Sequence, residues 1–110
     1  MAVPHAKSGD LVYALPPANN SETLKSETLI RDDNVEIFRL VLEAGTRMQE
    51  HKAAGSMLVQ CLQGEAQFRA QGQEQMLTPG SMIYLRDAEP HEVATEVPAV
   101  LLITLFLHRK

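Results

Sequence analysis

Ser56-Met57-Leu58-Val59-Gln60-Cys61-Leu62-Gln63-Gly64-Glu65-Ala66-Gln67-Phe68-Arg69-Ala70-Gln71-Gly72-Gln73 is the stretch whose reading decides the fold. It reads as strand, turn, strand, turn. Successive side chains on a strand point to opposite faces. Met57, Val59 and Cys61 therefore share one face, and Leu58, Gln60 and Leu62 share the other. Both faces carry apolar residues, so such a strand needs cover on both sides. Gly64 supplies one turn, and Gln71-Gly72-Gln73 supplies the next.

The same alternation of short β-rich runs and turn signals extends in both directions. Upstream, residues 26–30 and 35–42 read as strands, separated by the turn Arg31-Asp32-Asp33-Asn34 and ending at Ala44-Gly45. Downstream, residues 75–77, 81–85, 91–96 and 99–107 read as strands. Thr78-Pro79-Gly80, residues 86–90 and Pro98 punctuate them. Turn signals about every ten residues indicate a sandwich or barrel. No stretch has the period of an amphipathic helix of ordinary length, and no internal repeat is visible. Residues 1–24 are weakly patterned, with Pro4, Pro16, Pro17 and Asn19-Asn20-Ser21. They are expected to form an extended N-terminal arm, with Leu11-Val12-Tyr13-Ala14-Leu15 as a short edge strand in this chain or on a partner. Residues 25–110 form the expected barrel domain.

Size and composition narrow the function. At 110 residues the chain suits one domain with one core. Apolar residues at 45% and charged residues at 22% are a globular balance and exclude a disordered reading. The net charge of −4 repels phosphate backbones, so nucleic acid is not expected as a partner. The single cysteine, Cys61, allows no intrachain disulfide and suits a reducing compartment. Met1-Ala2-Val3-Pro4-His5 does not read as a secretory leader. The longest apolar run, residues 99–107, is too short for a membrane helix and reads as a buried strand. A soluble cytoplasmic protein with no membrane partner is expected. The two-sided apolar strands predict a homodimer.

Two further stretches carry a resemblance. The first runs from Gly45 through Thr46-Arg47-Met48-Gln49-Glu50-His51-Lys52-Ala53 to Gly64. The second runs from Pro79-Gly80-Ser81-Met82-Ile83-Tyr84-Leu85 to Pro90-His91-Glu92-Val93. Together they resemble the two conserved motifs of the cupin superfamily, over about residues 25–107. The closest likeness is to small single-domain bacterial cupins, many of unknown function. The resemblance implies an all-β jelly-roll barrel, the double-stranded β-helix, and a dimer.

It also implies a site. The family's metal is held by three histidines and a glutamate. Gly45, His51 and Gly64 fall in place in this chain, as do Pro90 and His91. Ala53 stands where the second histidine would be, Met57 where the glutamate would be, and Thr95 replaces an asparagine. Alanine cannot ligate a metal, and a thioether is a soft ligand that suits copper better than iron, zinc or manganese. His51 and His91 are the two candidate metal ligands that remain. Catalytic metal sites ordinarily keep three protein ligands. Cys61 shares the face of Met57 but lies about 13 Å along the strand, too far to bind the same ion.

The favoured reading is a small-molecule-binding cupin, non-enzymatic, with His51, His91, Met57, Val59, Cys61 and Phe68 lining an interior pocket. It requires no cofactor. Two alternatives stay open. One is an enzyme such as a dioxygenase, with a divalent transition metal on His51, His91 and water or a substrate group. The other is a metal-free isomerase or epimerase, with a histidine as base and Tyr84 as acid if its hydroxyl faces inward. Cys61 has apolar neighbours and no cation or helix start to lower its pKa, which speaks against a nucleophile. Asp32-Asp33 reads as a turn.

Overall fold

The computed structural model describes residues 6–16, 24–51, 55–86 and 89–107. Its nine strands are β1 (Glu27–Arg31), β2 (Val35–Leu42), β3 (Arg47–His51), β4 (Met57–Gly64), β5 (Ala66–Ala70), β6 (Gln73–Leu77), β7 (Met82–Leu85), β8 (His91–Ala94) and β9 (Ala99–Phe106). The described residues contain no helix. A five-stranded sheet has the order β1-β2-β9-β4-β7, and a four-stranded sheet the order β3-β8-β5-β6. Every named strand pair is antiparallel. Beyond the β1–β2 and β5–β6 hairpins, consecutive strands lie in different sheets. This is the jelly roll expected from the sequence.

The core is the space between the sheets. Along β4, Met57, Val59 and Cys61 are buried, while Leu58, Gln60 and Leu62 are only half-buried. Along β9 the inner residues Leu101 and Ile103 face the same space. From the small sheet, Ala66, Phe68 and Ala70 of β5 meet them. Val59, Cys61, Phe68 and Leu101 are the largest side chains removed completely from solvent. Each fully buried residue of this kind contributes about 1.5–3 kcal/mol through lost apolar contact with water.

Turn chemistry sets the register. Gln71 and Gly72 have φ of 55° and 74°, and Ala70 pairs with Gln73 across them. Two consecutive positive φ values make the two-residue turn whose twist matches that of a hairpin. Asp32 behaves as a turn residue: its Oδ1 accepts from the backbone N–H of Asn34 at 2.8 Å and of Val35 at 3.0 Å. Thr95, which stands where the resembled motif has asparagine, braces the β2–β3 turn. Its hydroxyl donates to the Glu43 carbonyl at 2.8 Å and accepts from the Thr46 N–H at 3.2 Å.

Two details differ from expectation. Residues 47–51 form β3, although their sequence offers only Met48 as an apolar residue to mark a strand. Pairing to β8 creates this strand, a tertiary effect that local pattern does not report. Residues 11–15, in turn, are not a strand in this chain. The chain there is held by Arg39, a buried side chain on the outer face of β2. Its guanidinium donates to the carbonyls of Lys25 (2.9 Å), Tyr13 (3.3 Å) and Ala14 (3.1 Å) and pairs with Glu27. A planar fork of five donors satisfies carbonyls that no ladder pairs. Further upstream, Ala6 forms an isolated parallel bridge with Ile30.

Gly64 is the corner where β4 leaves the large sheet and β5 begins in the small one. Its φ is 73°, and a Cβ there would sit 1.9 Å from the carbonyl oxygen of Pro98. Gly72 has a similar φ but open space around it. Gly64→Ala should therefore cost more than about 2 kcal/mol, because backbone must move as well as twist. Gly72→Ala should cost about 1 kcal/mol, from the left-handed conformation alone. Urea denaturation of the two variants beside the parent chain measures both.

Candidate functional site

The pleat of six strands converges on a cavity of about 90 Å³ between the sheets. Phe38 and Leu40 of β2, Met57 and Val59 of β4, and Leu101 and Ile103 of β9 form the large-sheet side. Met48, Phe68, His91 and Val93 form the small-sheet side. His91 is the one polar side chain among these lining residues.

His91 is 3% exposed, and burial on this scale demands partners. Its Nδ1 lies 3.1 Å from the Glu89 carbonyl oxygen. A carbonyl only accepts, so Nδ1 is the donor. The imidazole stacks on Phe68, with ring centroids 5.5 Å apart and planes 7° from parallel. The register explains the pair. On β5 and β8, Phe68 lies opposite Val93 and Ala70 opposite His91, so Phe68 and His91 are diagonal neighbours on one face.

The other sequence-predicted residues divide. Met57, Val59 and Phe68 line the cavity with His91. His51 ends β3, and its backbone lies directly opposite His91 in register; its side chain, like residue Ala53, lies outside the described residues. Cys61 is buried on the same face but away from the cavity lining. Its Sγ is 3.5 Å from the Gln63 carbonyl and 3.6 Å from that of Gly64. Tyr84 is exposed on the outer face of β7, so its hydroxyl does not face the interior as an acid there would. Phe38, Leu40, Met48, Val93, Leu101 and Ile103 were not singled out by the sequence. For β2 and β9 the signal was alternation itself, since Phe38 and Leu40 share a face with buried Leu42, and Leu101 with Ile103. For Met48 there was none while β3 went unread.

The donor set does not fit a resident metal, as far as the described residues go. No group of three or more His, Cys, Asp or Glu side chains comes together among them. Around His91 the lining is carbon and thioether sulfur. Hard or borderline cations need oxygen or further imidazole ligands there.

The charged residues gather elsewhere. On the outer face of the small sheet, Glu92 accepts from Arg69 at 3.1 Å and lies 3.9 Å from Arg47, while Arg69 also lies 3.7 Å from Glu74. These pairs are largely solvated and neutralise one another. No helix among the described residues is long and apolar enough to cross a membrane.

The sequence profile of the AraC-like ligand binding domain matches residues 39–106. No curated protein matches the sequence. Among solved structures, a cupin superfamily protein from Desulfitobacterium hafniense is 24% identical, with a TM-score of 0.74 over 94% of this chain and 95% of that one. A conserved protein of unknown function from Streptococcus pyogenes is 15% identical, with a TM-score of 0.75 over 100% of this chain and 97% of that one. A DMSP lyase from Ruegeria pomeroyi is 21% identical, with a TM-score of 0.69 over 82% of this chain and 50% of that one. At these identities the likeness is one of fold.

Burial raises the pKa of the Cys61 thiol above its ordinary value, with the backbone of Gln63 opposing the effect and the Glu65 charge adding to it. The folded state therefore holds this proton more tightly than the unfolded state. The resulting stability is fully present below the unfolded pKa, roughly 8.5, and is lost as pH rises toward the folded value. Unfolding midpoints in urea should fall between pH 8 and 10, and less steeply in Cys61→Ala. Thiol labelling of the parent chain should follow global unfolding.

Proposed function

The chain belongs to the AraC-like ligand binding domain family, and from that premise we propose that it is a non-enzymatic binder of a small molecule in the space between its sheets. The observation that carries this reading is the cavity itself: an apolar chamber closed on one side by the Phe68–His91 stack. Small barrels either fill their interior with side chains or hold one small ligand. A well-formed apolar pocket with a convergent polar group is the arrangement expected of the second kind. The exposed Tyr84 leaves the acid–base alternative without its acid. His51 and His91, opposite each other across β3 and β8, then serve as binding residues, with Met57, Val59 and Phe68 as walls.

Methionine methyl spectra test this directly. Met48 and Met57 line the cavity, whereas Met76 and Met82 are 48% and 56% exposed. In a screen of small molecules of mixed polarity, ligands should move the first two resonances and leave the last two. His91→Ala removes one ring of the stack and should weaken any such ligand about tenfold while the chain stays folded. Shifts confined to the exposed methionines, or none at all, would count against an interior site.

The reading includes a homodimer of two copies of the large sheet's outer face. Half-buried Leu58, Leu62 and Leu102 lie there beside exposed Met82, Tyr84 and Phe106. The small sheet's outer face is instead charged. A self-complementary apolar patch matches the symmetry of a twofold dimer. Sedimentation at micromolar concentration should show a dimer in the parent chain and a monomer in Met82→Glu/Tyr84→Glu.

A further inference from the structure

Resting on that reading, we infer that the ligand class is a small, uncharged, apolar ring rather than a sugar or a carboxylate. Three observations converge on this chemistry. The first is size. A cavity needs about 10–15 Å³ to hold a water, and one of about 150 Å³ lined by aliphatic and aromatic side chains takes benzene. At about 90 Å³ this chamber has room for more than a water but less than that cavity, so its occupant is no bulkier than a single ring.

The second is the state of the polar group. His91 is already engaged, with Nδ1 on the Glu89 carbonyl and its face on Phe68. A ligand that used Nδ1 would have to exchange this hydrogen bond rather than add one. The net gain from such an exchange is small. A sugar would bring several hydroxyls into a lining where, among the described residues, one polar side chain stands among nine apolar ones. Each hydroxyl left without a partner costs about 1–3 kcal/mol. A carboxylate costs more, because no cation lines the chamber among the described residues.

The third is shape. The nearly parallel Phe68 and His91 rings present a flat wall. Met48 and Met57 supply polarizable, unbranched side chains. Thioethers adapt to irregular contours and make favourable contacts with aromatic rings. A planar ring lying along the stack and contacted by two thioethers takes its affinity from burial and dispersion, which are the terms this lining offers.

Thermal unfolding of the full chain with toluene, benzoate and a free pentose tests the inference, with methionine methyl spectra recorded on the same samples. Toluene should raise Tm by about 5 °C at ten times its dissociation constant and move the Met48 and Met57 methyls. Benzoate and the pentose should do neither. Val59→Phe fills the chamber and should abolish the toluene response. If that variant fails to fold, the methyl shifts in the parent chain still decide. Stabilisation and Met48/Met57 shifts produced by benzoate or the pentose, with none from toluene, overturn the ligand class and leave the interior site standing. If none of the three probes acts, and a wider screen moves neither methyl, both the site and its ligand class fall.

Discussion

Two sheets can share one core only if each turns an unbroken apolar face inward, and the two-residue pleat is what enforces that. Val59 and Leu101 from the large sheet and Phe68 from the small one meet because each stands at the inward phase of its strand. A slip of one residue in β4 would exchange Met57, Val59 and Cys61 for Leu58, Gln60 and Leu62, placing an amide in the core. The positive-φ hairpin at Gln71–Gly72, the Thr95 brace and the Gly64 corner against Pro98 keep that phase fixed where the chain turns. The cavity is a by-product of the same phase. It lies where inward residues from six strands stop short of filling the space between them.

That logic explains how much could be read in advance. Strands β2, β4, β5, β7 and β9 carry enough β-branched, aromatic or alternating apolar residues to declare themselves, and the turns at Asp32, Gly64, Gly72 and Gly80 carry residues whose backbone or side-chain chemistry is specific. The jelly roll follows from those strands and the two resembled motifs. Strand β3 was illegible because Arg47, Gln49 and Glu50 leave it almost no apolar signal; it is a strand because β8 offers it a ladder. Within this chain, the reading of segment 11–15 erred the other way. Its apolar run suggests an edge strand, but the carbonyls of Tyr13 and Ala14 are claimed by a guanidinium 25 and 26 residues downstream. No local rule foresees that.

The site was legible in part for the same reason. Met57, Val59 and Phe68 could be named because they share the inward phase of strongly patterned strands, and His91 because the motif around Pro90 singles it out. Cys61 shares the phase but sits further along β4, where it packs near the Gly64 corner instead of the chamber. What no sequence pattern contained was the stacking of His91 on Phe68, which depends on the diagonal register of β5 and β8. Met57, at the position of the resembled motif's glutamate, contributes thioether sulfur to the apolar lining of the chamber.

The position of β9 has a consequence for how the molecule comes into being. It lies between β2 and β4 in the large sheet and carries Leu101 and Ile103 into the core, yet it is the last strand in the chain order. β1 can pair with β2 and β7 with β4 before it, but these two halves of the large sheet cannot join until Ala99–Phe106 has been synthesised. During translation the earlier strands emerge with their apolar inner faces uncovered and ladder edges unpaired. Topologies of this kind close late and slowly, because distant segments must meet before any of them is rewarded. Until β9 joins them, each half keeps one ladder edge unpaired, and unpaired edges are where chains associate wrongly.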